Sequence, residues 1–182
     1  MRQIELPYEE LKQDFIKELA KLGSEGLYER GILATSDENH VTARRMRLVS
    51  NSLTIYCWTA RNSRKHKQII ANPNVAVVAG FVQIEGVASV KGHPKDEPEF
   101  LKVYKETQPS NYEREVSHWN QMDYILIEIA PKRIALFKYA DLASGRTESG
   151  LDILNIVKGE AYSIFGLDHM SADHSDAPAY SG

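Results

Sequence analysis

Short runs of β-branched and aromatic residues recur at close spacing along this chain, at 31–36, 41–49, 53–59, 75–90, 124–129 and 134–139. Such spacing leaves little room for any architecture but a meandering antiparallel sheet. Asp37-Glu38-Asn39-His40 and Ser50-Asn51-Ser52, between successive runs, have the lengths and residue types of hairpin loops. The run 75–90 is too long for an ordinary strand, and Gly80 or Gly86 within it marks a bend or bulge where a barrel turns a corner. Several strands and few helices predict a mainly β fold, a small barrel with peripheral helices.

Ahead of the sheet, Leu11, Phe15, Leu19 and Leu22 follow Pro7 at helical spacing and predict an amphipathic helix over 8–22, ended by Gly23. Between 94 and 115 the sequence turns polar, with Phe100, Leu101 and Tyr104 available to anchor a helix that stops before Pro109, followed by a loop. Beyond Ala140 the pattern weakens, and 141–182 reads as an extension of a single domain, a dimer arm being one possible role. A length of 182 residues suits one fold rather than two.

Charge and cysteine usage narrow the partners. A net charge of −3 argues against a general polyanion partner, so no nucleic acid is expected. No apolar run approaches the roughly 18 residues needed to span a bilayer, so no membrane partner is expected either. The start, Met1-Arg2-Gln3-Ile4-Glu5, leads into a charged segment rather than an apolar signal core, which places the protein in the cytoplasm. The single cysteine, Cys57, has no partner for an internal disulfide or a cysteine-based zinc site.

Against this mildly acidic background, Thr59-Ala60-Arg61-Asn62-Ser63-Arg64-Lys65 stands out. It joins a strand end to a helix over Arg64 to Ala71, with Ser63 as its N-cap. A helix start offers unpaired N–H groups and a positive dipole end to an anion, and Arg64 and Lys65 add charge. In the preceding run Arg45 and Arg47 share one strand face while Arg44, Met46 and Leu48 share the other. If the first hairpin forms, two cationic elements converge. A phosphomonoester carries about −1.5 to −2 charge, so more than one cation is needed to hold it. The competing reading is a solvated edge strand whose charges discourage aggregation.

These residues resemble the pyridoxamine 5′-phosphate oxidase-like FMN-binding split barrels over roughly Gly31 to Tyr139. In that family an Arg-x-x-Leu-Leu-Lys strand, a strand ending in aromatic-Thr and a Ser-Arg-Lys helix start hold the FMN phosphate and one flavin edge. The similar positions here are Arg44 or Arg45 through Leu48, Trp58-Thr59, and Ser63-Arg64-Lys65. Ala71-Asn72-Pro73-Asn74-Val75 and Ile84-Glu85-Gly86-Val87-Ala88 continue the likeness in the same order. The resemblance implies a six-stranded antiparallel split β-barrel, a homodimer with flavin at the interface, and a small-molecule electron donor and acceptor. FMN is the implied cofactor, with Arg44, Arg45, Met46, Arg47, Leu48, Trp58, Thr59, Ser63, Arg64 and Lys65 around it. Trp119 is the candidate for a ring wall supplied by the partner. Phe81 stands where the oxidases usually carry a glutamine that reaches the flavin, and Gln83, two residues on, is the candidate substitute.

Departures from the family pattern limit the carry-over. The oxidases bind their substrate's phosphate with Tyr-x-x-x-Arg-Pro-x-x-Ser, whereas this chain has Tyr104, Gln108 instead of the arginine, and Tyr112 instead of the serine. Without that arginine a dianionic vitamin phosphate is poorly matched. The expected function is a flavin-dependent oxidoreductase of unknown substrate. The alternatives are a non-catalytic flavin-binding stress protein, a deazaflavin-dependent reductase, and a haem-binding split barrel with His118 or a tail histidine as axial ligand. His169, His174, Asp168, Asp173 and Asp176 could ligate a metal by composition, yet a polar tail yields such clusters by chance, and no metal is expected.

Overall fold

The computed structural model describes residues 1–22 and 30–166. Its elements run β1 (Arg2–Glu5), α1 (Tyr8–Leu19), β2 (Arg30–Asp37), β3 (His40–Arg47), β4 (Val49–Asn51), β5 (Thr54–Ala60) and α2 (Arg64–Ala71). There follow β6 (Asn74–Ala79), β7 (Val82–Val90), α3 (Pro98–Thr107), α4 (Tyr112–Trp119), β8 (Tyr124–Lys138), β9 (Gly150–Asn155) and β10 (Glu160–Phe165). No helix among the described residues is long and apolar enough to cross a membrane.

All ten strands join one antiparallel sheet, and part of it closes on itself. β3 pairs β2, β2 pairs β6, β6 pairs β7, β7 pairs β8, β8 pairs β5 and β5 pairs β4. Only Leu48 separates β3 from β4, so the two act as one bent strand that carries the circuit from β2 back to β5. Counted that way, the closed circuit has six strands. Between β3 and β5 themselves no ladder forms, because β3 pairs β2 alone and β5 pairs β4 and β8. This opening is the split in the barrel.

Sequence boundaries shift where the chain bends. The run 75–90 is a hairpin, with Gly80 at φ 57° in its turn. Gly86 faces a bulge rather than forming it: Glu85 pairs Arg133 and Gly86 pairs Pro131, so the extra residue is Lys132 of β8, and a Cβ at Gly86 would meet the Ala130 carbonyl oxygen at 2.7 Å. Conversely, the two runs expected at 124–129 and 134–139 are one strand, β8, of 15 residues. Its first half pairs β5 and its second half pairs β9. The extension without a readable pattern supplies the β9–β10 hairpin, onto which β1 adds. α4 stands where a loop was expected, because only Trp119 of its residues is buried and the stripe is too thin to read. Gly23 and the histidine-rich tail lie outside the described residues.

Strand alternation fills two cores. Inward side chains such as Leu33, Leu48, Ile55, Cys57, Val77, Ile84 and Ile127 fill the barrel, together with Leu11, Phe15 and Leu19 of α1. Outward side chains Tyr56 and Leu126 meet α3 and α4 in a second cluster with Phe100, Tyr104 and Trp119. Each fully buried large apolar side chain contributes about 1.5–3 kcal/mol relative to exposure. The C-terminal hairpin is fastened by Asp152, which bonds Lys138 at 2.7 Å and Arg146 at 3.4 Å and is reached by the Ser163 hydroxyl.

Candidate anion site at the start of helix α2

Ser63 caps α2 as its position predicts, its Oγ accepting from the His66 N–H at 3.4 Å. Thr59, at the end of β5, points inward and is buried. Its hydroxyl donates to Ser63 Oγ at 3.0 Å and accepts from Lys65 Nζ at 2.9 Å. Lys65 is thereby folded back over the strand end instead of extending into solvent.

Arg44 reaches the same place from the inward face of β3. Its guanidinium donates to the Leu33 carbonyl at 3.1 Å, Thr35 Oγ1 at 2.7 Å and Gln68 Oε1 at 3.1 Å, and also to Thr42 Oγ1. Gln68 has no exposed surface. Its Oε1 takes further bonds from Thr35 at 2.6 Å and Thr42 at 2.8 Å, while its Nε2 donates to Asp37 at 3.1 Å. Buried polar groups carry their full desolvation cost unless paired, so this network fixes Arg44 firmly. Neither Gln68 nor its two threonines stands out in the sequence. The available signal is a glutamine beside Ile69 on the buried face of an otherwise basic helix.

Burial holds the Lys65 pKa below its ordinary value, and the neighbouring Arg44 lowers it further. Arg44 is lowered too, first by burial and then by Arg64. Among the described residues no carboxylate forms an ion pair with Arg44, Arg64 or Lys65, whereas Arg47 pairs Glu115 and Arg61 pairs Asp123. Asp37 and Glu38 do share a cleft of about 390 Å³ with Arg64. Arg44 and Lys65, both partly desolvated and neither ion-paired to a carboxylate among the described residues, favour an anion between them. A phosphate fits this donor set of guanidinium, ammonium and capped helix start.

The remaining predicted residues are placed elsewhere. Arg45 and Arg47 lie on the opposite face of β3 from Arg44, so only one of the three arginines joins Lys65. Met46 packs against the barrel core and Leu48 is wholly inside it. Gln83 is exposed on β7, opposite Val78, with β6 and β2 between it and β3. Trp119, expected as a ring wall offered to a partner, instead has no exposed surface. It packs against Trp58, Phe100 and Tyr104 at 5.2–5.5 Å between ring centres, because α4 folds back over the outer face of β5.

At the split a second cleft of about 280 Å³ opens, lined by Arg30, Arg45, Met46, Arg47, Trp58, Glu115, His118 and Tyr124. Glu115 holds Arg47 at 2.7 Å, and His118 Nε2 bonds the Tyr124 hydroxyl at 2.9 Å.

No protein-family model and no curated protein matches the chain. Solved structures do. General Stress Protein 26 from Bacillus anthracis superposes with a TM-score of 0.51 at 24% identity, covering 68% of this chain and 91% of its own. A pyridoxamine 5′-phosphate oxidase-related, FMN-binding protein from Nostoc punctiforme gives 0.54 at 13% identity, covering 85% and 95%. A putative pyridoxamine 5′-phosphate oxidase from Listeria innocua gives 0.50 at 18%, covering 68% and 95%. The closed six-strand circuit, its split and these superpositions together give the chain the fold of the pyridoxamine 5′-phosphate oxidase-like split barrels.

Proposed function

We propose that the protein binds FMN and serves as a flavin-dependent oxidoreductase outside vitamin B6 oxidation. The observation that carries this reading is that Arg44 and Lys65 are held beside the capped start of α2 by the bonds to Thr35, Gln68 and Thr59, with no ion-paired carboxylate among the described residues. Arg44 and Lys65 would hold the phosphate, with Ser63 and Thr59 positioning them. The similar Nostoc punctiforme protein is described as FMN-binding, which supports the same assignment. A bound flavin would accept electrons from a small-molecule donor and pass them to an acceptor. The protein's share is to fix the phosphate and to shape the split beside it.

A homodimer is part of this reading. The outer face of β2 and β6 exposes Ile32 and Val78, which are direct cross-strand neighbours, beside a groove of about 460 Å³ lined by Ala34, Val41 and Ala76. A second copy seated there would cover apolar surface next to the split. A cytoplasmic setting accords with a lone, buried, unpaired Cys57.

The first experiment is an absorbance spectrum of the purified protein before and after adding FMN and desalting. Flavin absorbance bands that survive desalting are the expected result. A protein that stays colourless and releases added FMN refutes the assignment, and a Soret band transfers the site to haem.

A further inference from the structure

Arg30 and Arg47 stand directly opposite each other in the β2–β3 register, and Arg45 follows on the same face opposite Ile32. Like charges facing across a strand pair are destabilising, so a row of three arginines needs an answering charge. Glu115 answers one of them, holding Arg47 at 2.7 Å. Among the described residues no carboxylate pairs with Arg30 or Arg45. All three arginines line the cleft at the split, and Trp58 and Tyr124 line it as well. Trp58 is fixed from behind by Phe100, Tyr104 and Trp119, at 5.3–5.7 Å between ring centres, so the part it turns to the cleft is a rigid aromatic surface.

We propose that this cleft is a second anion site, separate from the cluster at α2, and that it takes a planar molecule carrying a carboxylate. Arg45 and Arg30 hold the carboxylate, since the guanidinium fork matches its two oxygens. Trp58 and Tyr124 flank the ring. A volume of about 280 Å³ suits a single small aromatic acid rather than a polymer. The role of this ligand as electron donor or acceptor rests on the flavin reading, but its binding rests on the cleft alone.

Tryptophan fluorescence gives the readout: Trp58 lines the cleft, and Trp58→Phe supplies the background of Trp119, which is wholly buried 5.3 Å behind it and still emits. The probes are 4-nitrobenzoate, a quencher, and its uncharged methyl ester, titrated into the protein with and without added FMN. The expected result is saturable quenching by 4-nitrobenzoate, at least roughly tenfold tighter than by the ester and weakened by salt, as one charge-assisted contact implies. Arg45→Ala and Arg30→Ala should each remove most of that preference, and Trp58→Phe should remove the quenching itself. Equal or non-saturating quenching by the two probes overturns the proposal, as does an unchanged preference in both arginine variants. If the preference is present while FMN is not retained, the cleft stands and the flavin reading falls. If FMN is retained and the preference is missing, the cleft proposal alone fails.

Discussion

Lys65 Nζ donates to the hydroxyl of Thr59 at 2.9 Å, tying the first turn of α2 to the last inward residue of β5. A flexible lysine is thereby held beside Arg44 despite their mutual repulsion, which lowers the pKa of Lys65 after burial has done so. An anion bound between them would relieve the strain.

Removing either cation of the Ser63-Arg64-Lys65 start should act on the phosphate and spare the ring. Lys65→Ala or Arg64→Ala is expected to weaken FMN binding by about 1.5–3 kcal/mol, while riboflavin binding changes little. Fluorescence titration with both ligands measures the difference, and equal losses would sink the phosphate assignment.

Lys65 loses its proton at a lower pH than a free lysine, whose pKa is about 10.4, because burial and Arg44 both disfavour the charged form. Its charge therefore costs stability fully below the folded-state pKa, and that cost is relieved as pH rises from the folded-state pKa to the higher unfolded one. Phosphate binding needs the charge and runs the other way. FMN affinity should fall on the alkaline side before ordinary lysines titrate, and Lys65→Arg should flatten the profile. A wild-type profile that stays flat up to the ordinary lysine range contradicts this.

Gln68→Leu keeps the approximate volume but strips the acceptor that Thr35, Thr42 and Arg44 share. Leaving these groups unpaired should cost on the order of 2–3 kcal/mol of stability and release Arg44 from its place. Thermal unfolding reads the first effect and FMN titration the second. A variant as stable as the parent would show that the network does not anchor Arg44.

Burial pushes the Asp152 carboxyl upward, yet bonds from Lys138 and Ser163 and the charges of Lys138 and Arg146 outweigh it and hold the pKa below the ordinary aspartate value. Its stabilising contribution is present above the unfolded-state pKa of about 3.9 and is lost as pH falls through the lower folded value. Asp152→Asn should cost on the order of 3 kcal/mol, leaving Lys138 and Arg146 without their shared partner. Acid unfolding followed by circular dichroism should show a smaller loss between about pH 5 and pH 2 in the variant than in the parent.

Local signals carried much of this protein. Hydrophobic alternation and turn residues set the antiparallel meander, the spacing of Leu11, Phe15 and Leu19 set α1, and Ser63 before Arg64 set the start of α2. Those features depend on residues within a few positions of one another, where side-chain period and capping chemistry act directly. The sequence left open which of Arg44, Arg45 and Arg47 joins Lys65. Alternation separates Arg44 from the other two but cannot say which face turns inward. Barrel closure decided that, by burying Leu48 and turning Arg44 toward Gln68. The same closure made 124–139 one strand shared by two neighbours, and it drew β9 and β10 out of a stretch with little pattern. Trp119 was decided by tertiary packing as well. An indole at the end of a thin polar helix can serve a ligand or a core equally well, and only the fold of α4 against Trp58 and Phe100 assigned it to the core. The sequence thus determined the strands, the caps and the supply of cations. Which of them meet depended on long-range ladder pairing and burial, and these depend on contacts between residues far apart in the chain.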